Sequence, residues 1–327
     1  MPEPIPVTLL TGFLGAGKTT LLNAVLRGPD GDGTLVIVNE FGSVGLDHLL
    51  VETGADTPVL LENGCTCCTA RGDLRRALLA MAERIATDRP RAIRRVVVET
   101  SGLADPGATV SLFASDAALR ARFALAATVA VVDATLGAAQ LASRIEARRQ
   151  VAFADRIAIS KAGAVTDTAL QELHVRLAAL NPMARIHVLA PDSDRAAMLL
   201  DPAPALVARP SAVEAMPDGH GIAAAVLCRD DPLDGPAFMH WLSGLLSLRG
   251  DRILRVKGLV ALRGSHWPHV VQAVRHRLAD LEPLRRADTA GATRLVFLAE
   301  CMPPRLAEAL AADLALACPA PAPTEIA

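Results

Sequence analysis

The chain has 327 residues, enough for about two domains. With 51% hydrophobic residues and a mean hydropathy of +0.33 it can bury a core, which excludes a disordered chain. A formal charge of −2 argues against nucleic-acid binding through bulk positive charge, and no apolar run reaches the roughly 18 residues of a membrane span, the longest lying around Phe123–Val132.

Short β-branched runs alternate with helical stretches through the first two thirds. Val7–Leu10 reads as a strand, Thr19–Arg27 as a helix, Leu35–Val38 as a strand, Arg75–Ala86 as a helix and Val96–Val98 as a strand. Val129–Val132 and Ile157–Ile159 are further strands, followed by the helix Thr168–Leu180 and a strand at His187–Leu189. This alternation predicts an α/β fold: a parallel sheet with helices on both faces and its ligand site at the carboxyl ends of the strands.

Pro202, Pro204, Pro210 and Pro217 fall in a stretch without period, which reads as a linker. After it come a strand near Ala225–Leu227, a helix carrying Phe238, Leu242, Leu245 and Leu246, and strands at Ile253–Leu262, His269–Val274 and Arg294–Leu298. A helix over Pro304–Leu316 follows. The expected organisation is an α/β domain over residues 1–205, a linker over 206–221, a smaller C-terminal α+β domain over 222–318 and a tail over 319–327.

Gly12-Phe13-Leu14-Gly15-Ala16-Gly17-Lys18-Thr19 fits G-x-x-x-x-G-K-[ST] between an apolar strand and a helix, so the domain over residues 1–205 is expected to be a P-loop NTPase domain. Gly12, Gly15, Ala16 and Gly17 are small enough for the backbone to wrap a phosphate with its N–H groups at a helix N-terminus. Lys18 is expected to bridge the β- and γ-phosphates, and Thr19 to offer its hydroxyl to Mg2+. Val96-Val97-Val98-Glu99-Thr100-Ser101-Gly102 supplies the second strand such a site needs, with Glu99 aimed at Mg2+ and the Gly102 N–H placed to report the γ-phosphate. Ser160-Lys161-Ala162-Gly163 stands where a guanine-reading N/T-K-x-D turn is expected. Lys161 can pack its stem on the base, but Gly163 has no carboxylate for the guanine N1 and N2 protons, so guanine preference is expected to be weakened.

Three of the six cysteines crowd into Glu62-Asn63-Gly64-Cys65-Thr66-Cys67-Cys68, just past a turn signal. Thiolates this close can clamp Zn2+, Cu+ or Co2+; three small half-buried residues are the bland alternative. Such crowding suits a reducing compartment, and MPEPIPVTLL lacks the basic start of a secretory leader, so a cytoplasmic location is expected. Glu40, in Asn39-Glu40-Phe41-Gly42, leaves a strand end toward the region where switch loops close over a γ-phosphate.

TGFLGAGKTT, VNEFG, ENGCTCC, ETSGLADP and ADRIAISK together resemble, in order and spacing, the CobW-like metallochaperone GTPases, and LRVKG and TRLVF resemble that family's C-terminal domain. The resemblance implies a GTPase that delivers a transition metal, zinc first and cobalt or iron next, to a client metalloprotein or cofactor-biosynthesis enzyme. It implies that Gly15–Thr20, Thr20 included, bind phosphates and Mg2+, that Glu40 and Glu99 support Mg2+ and the attacking water, and that Cys65, Cys67 and Cys68 ligate the transported metal. The departures are Gly163, the non-acidic Val38 and Ser43 flanking the NEFG element, and the absence of a His-rich loop. GTP, Mg2+ and Zn2+ (or Co2+/Fe2+) are the expected ligands, with no nucleic-acid or membrane partner and a homodimer left open. Two rival readings are a nucleotide-dependent regulatory or assembly factor with structural cysteines, and a metal reservoir with weakened NTPase activity.

Overall fold

The computed structural model describes residues 3–39, 48–51, 59–62, 70–88, 93–201, 221–285, 292–301 and 305–319. Chain contacts divide it into two units, Met1–Ala178 with Ala184–Pro204, and Ala179–Met183 with Ala205–Ala327. The first carries β1 (Ile5–Gly12), α1 (Lys18–Leu26), β2 (Thr34–Asn39), β3 (His48–Val51), β4 (Val59–Glu62), α2 (Ala70–Asp88), β5 (Arg95–Thr100) and α3 (Pro106–Ser115). It continues with α4 (Ala117–Arg120), β6 (Phe123–Asp133), α5 (Gly137–Ser143), α6 (Ile145–Phe153), β7 (Arg156–Ser160), α7 (Asp167–Leu180), β8 (Arg185–Val188) and α8 (Arg195–Leu200).

Among the described residues, six of these strands form one parallel sheet in the order β2-β5-β1-β6-β7-β8. Its central strands are near-continuous aliphatic runs because both faces are covered. Leu10, Val36, Val97, Val129 and Val131 pack with Leu21, Leu22 and Val25 of α1 and with Met198 and Leu199 of α8. Phe123 and Phe153 are fully buried, and α3 and α6 lie against each other. A separate antiparallel hairpin pairs β3 with β4, His48 opposite Glu62.

The register decides what meets at the carboxyl edge. β1 lies between β5 and β6, with Leu10 opposite Glu99 and Gly12 opposite Val131. Asp133 sits opposite Ser160, and Asn39 opposite Thr100. The ends of β1, β5, β6 and β7 therefore open on one place, and β2 ends at Asn39 beside the Glu99 strand.

The second unit holds β9 (Ile222–Arg229), α9 (Gly235–Arg249), β10 (Ile253–Val260), β11 (His269–Val274), β12 (Arg277–Leu278), β13 (Glu282–Pro283), β14 (Thr293–Glu300) and α10 (Leu306–Ala317). Its sheet is antiparallel in the order β12-β11-β10-β14-β9, with β13 paired to β11. Strand alternation sends Val256, Val260, Leu295 and Phe297 into a core with Phe238, Trp241 and Leu242 of α9 and Leu310 and Leu314 of α10. Trp241 meets Phe297 edge-on at 6.3 Å. No helix of the described residues is long and apolar enough to cross a membrane.

Candidate functional site

The turn between β1 and α1 wraps because Gly15 and Gly17 take left-handed φ values of 72° and 96°, and Gly17 is the N-cap of α1. The first turn of that helix holds no acid, so its N–H groups face an anion without competition. Lys18 is buried and folds back to donate to the Gly12 carbonyl at 3.0 Å. Ala16 is buried beneath the turn, and Thr19 and Thr20 are exposed at the mouth.

Thr19 Oγ1 donates to Glu99 Oε1 at 2.7 Å. Glu99 is 5% exposed, at the end of β5. Hydroxyl and carboxylate thus converge beside the anion-binding turn, a pair of hard oxygen donors that fits Mg2+. A cation held there would neutralise the charge of a bound triphosphate. One residue beyond Glu99, Thr100 Oγ1 donates to Thr11 Oγ1 at 3.0 Å and ties β5 to β1.

Gly102 presses on the P-loop. A Cβ there would sit 2.7 Å from the Leu14 backbone nitrogen, so only glycine allows this approach. On the opposite side, Ser160 Oγ donates to the Ala16 carbonyl at 2.6 Å, and Lys161, with φ 55°, donates to the Gly15 carbonyl at 2.9 Å. Lys161 also pairs with Asp133 Oδ2 at 2.5 Å. Burial pushes the Asp133 carboxyl up, but the hydrogen bonds from Lys161 and Thr135 outweigh it and leave the pKa below the ordinary 3.8. Gly163 lies in the following turn with no atom within 4 Å of where a Cβ would stand.

Gly12, Gly15, Ala16, Gly17, Lys18, Thr19, Thr20, Glu99, Gly102, Ser160 and Lys161 are therefore gathered at one end of one sheet. Glu40, Cys65, Cys67 and Cys68 lie outside the described residues, as does most of the linker. Asp133 is a site residue that motif reading passes over. Its signal is an acid closing the apolar run Val129–Val132 at the carboxyl end of a strand.

A parallel sheet that feeds a glycine turn into a helix and answers it with an acid from the neighbouring strand defines a P-loop nucleotide-binding protein of GTPase fold. The chain belongs to the CobW family: the CobW/HypB/UreG nucleotide-binding domain matches residues 6–188 and the cobalamin synthesis protein cobW C-terminal domain matches residues 222–316. It is 35% identical to the zinc chaperone YjiA of Escherichia coli over 272 residues, 80% of this chain and 84% of that one. It is 34% identical to zinc-regulated GTPase metalloprotein activator 1 of Schizosaccharomyces pombe over 191 residues, 56% of this chain and 45% of that one. The crystal structure of Zn(II)-bound YjiA GTPase from E. coli superposes with a TM-score of 0.73 at 28% identity, covering 96% of this chain and 99% of that one.

Proposed function

We propose that this protein is a nucleoside-triphosphate hydrolase that couples GTP binding and hydrolysis to delivery of a transition metal, zinc before cobalt or iron, to a client metalloprotein or cofactor-biosynthesis enzyme. The observation that carries the reading is the Thr19–Glu99 contact at 2.7 Å beside the glycine turn, in a sequence that also carries the Cys65-Thr66-Cys67-Cys68 run. Zinc in the names of the two relatives supports the choice of metal, and "metalloprotein activator" supports a client.

In this reading the Gly12–Thr20 backbone and Lys18 bind the phosphates, and Thr19, Glu40 and Glu99 hold Mg2+ and orient the attacking water. Gly102 follows the γ-phosphate, and Ser160 and Lys161 flank the base. Cys65, Cys67 and Cys68 take the metal as cargo, because thiolates favour zinc over the harder Mg2+. Ordering of the segment around Glu40 by a triphosphate brings the thiolates into position, and hydrolysis releases them. The open space at Gly163, which has no side chain to accept from the guanine edge, supports a site that takes ATP as well as GTP.

The test is metal analysis of the full-length protein purified with GTP, with ATP or with neither, alongside Cys67→Ser. Zinc retained with triphosphate and lost from the variant is the expected result. Wild-type metal content in Cys67→Ser would instead favour a regulatory factor with structural cysteines.

A further inference from the structure

Gln150 is a polar side chain placed where the packing asks for an apolar one. It lies on α6, is 1% exposed, and shares a small cavity with Phe13, Val132, Gly137 and Leu141. Its amide Nε2 donates to the Gly102 carbonyl at 2.9 Å and to the Ala104 carbonyl at 3.3 Å. Two carbonyl acceptors on one side fix which end of the amide is nitrogen. The other end, Oε1, is buried with no hydrogen-bond partner among the described residues. A buried acceptor left so costs stability, and a methionine of the same length would fill the place without that cost. The amide therefore answers to the loop it holds.

That loop is the one that follows Glu99. Ala104 N–H donates to the Ser101 carbonyl at 3.1 Å, closing a turn over 101–104. Gly102 in that turn abuts Leu14 of the P-loop. Asp105, the next residue, caps α3 by accepting from Gly107 N–H at 2.8 Å, and Arg149 reaches its other oxygen at 3.4 Å. Two successive residues of α6 thus hold the turn and the helix cap that follows it. Because a trans peptide sets C=O and N–H on opposite sides, drawing the Gly102 carbonyl inward turns the Leu103 N–H away from Gln150. There, among the described residues, it has only Ser101 Oγ, at 3.5 Å.

We propose that Gln150 is a positioning residue for nucleotide hydrolysis, which sets the peptide plane at 102–103 against the P-loop by holding the Gly102 and Ala104 carbonyls. This rests on reading the site as a triphosphatase. Gln150 touches neither phosphate nor cation; it acts through the loop. P-loop binding of a diphosphate does not need it, whereas alignment in the transition state does.

The experiment compares the wild type with Gln150→Met and Gln150→Glu in the full-length protein. Steady-state hydrolysis of GTP and ATP with Mg2+, GDP affinity, and amide exchange of the peptide covering 101–105 are measured. Gln150→Met should lower kcat about tenfold with KM and GDP affinity within about twofold, and should speed exchange in that peptide. Gln150→Glu should be worse at neutral pH, where a carboxylate faces two carbonyls, and should recover as acid restores one O–H donor. In the wild type the Ala104 amide, which donates to the Ser101 carbonyl, should be protected without nucleotide, a result that needs no variant to fold. Folded Gln150→Met with wild-type kcat and exchange, or an unprotected Ala104 amide in the wild type, overturns the proposal. A wild type that hydrolyses neither nucleotide fails the triphosphatase reading instead, and the exchange data still judge the anchor.

Discussion

Thr19, on the first turn of α1, donates its hydroxyl proton to Glu99 at the end of β5, joining residues 80 positions apart at 2.7 Å. The contact follows from register: Leu10 pairs with Glu99, so the P-loop that leaves β1 passes over the carboxylate. A carboxylate this buried is costly unless its charge has a use.

Glu99→Gln keeps the shape and removes the charge. Hydrolysis of GTP should fall about 100-fold, the scale of losing one electrostatic contact to a transition state. Diphosphate affinity measured in EDTA should stay near wild type. A variant with unchanged turnover would remove Glu99 from the site.

Gly163→Asp tests what reads the base. The position has open space and no left-handed φ, so a carboxylate fits without displacing its neighbours. The ratio of kcat/KM for GTP over ATP should rise at least about tenfold in the variant, from a low value in the wild type. A wild type already selective for GTP by several orders of magnitude would mean that another group accepts the guanine protons.

Asp133→Asn weakens the strap between β6 and Lys161. Lys161 is 48% exposed, so solvent screens the pair. The cost at pH 7 should be about 1 kcal/mol in urea unfolding. Because the folded-state pKa of Asp133 is lowered, its contribution is complete above the ordinary 3.8 and is lost as pH falls below it. The gap between wild type and variant should therefore close in acid. A constant gap from pH 7 to 3 would show that the charge is not what stabilises.

In the second unit, Phe297 is fully buried against the Trp241 edge. Phe297→Ala should cost about 3–5 kcal/mol by calorimetry, the usual penalty for emptying an aromatic core position. A loss under about 1 kcal/mol would mean that the sheet collapses around the gap.

What the sequence declares depends on how local the signal is. The P-loop is legible because glycine, lysine and threonine must stand at fixed offsets for one turn to bind phosphate, and β1, β5 and β7 are legible because buried parallel strands are near-continuous aliphatic runs. α5 and α6 carry no side-chain cap, so nothing marks where they start, and Gln150 within α6 is mute until α6 and the loop after β5 are seen side by side. α3 does carry a mark, Asp105 before Pro106, that periodicity alone overlooks. Asp133 gains its meaning only through Lys161, and that pairing is a matter of strand order, not of spacing.

The claim on which all this turns is that triphosphate and metal are held in energetic register. It is tested most directly by titrating Zn2+ into the full-length protein with Mg2+, in the presence and absence of a non-hydrolysable GTP analogue. The account predicts that the analogue tightens zinc binding by about 5- to 150-fold, and that zinc tightens the analogue by the same factor. Zinc affinity that is the same with and without the analogue would contradict it.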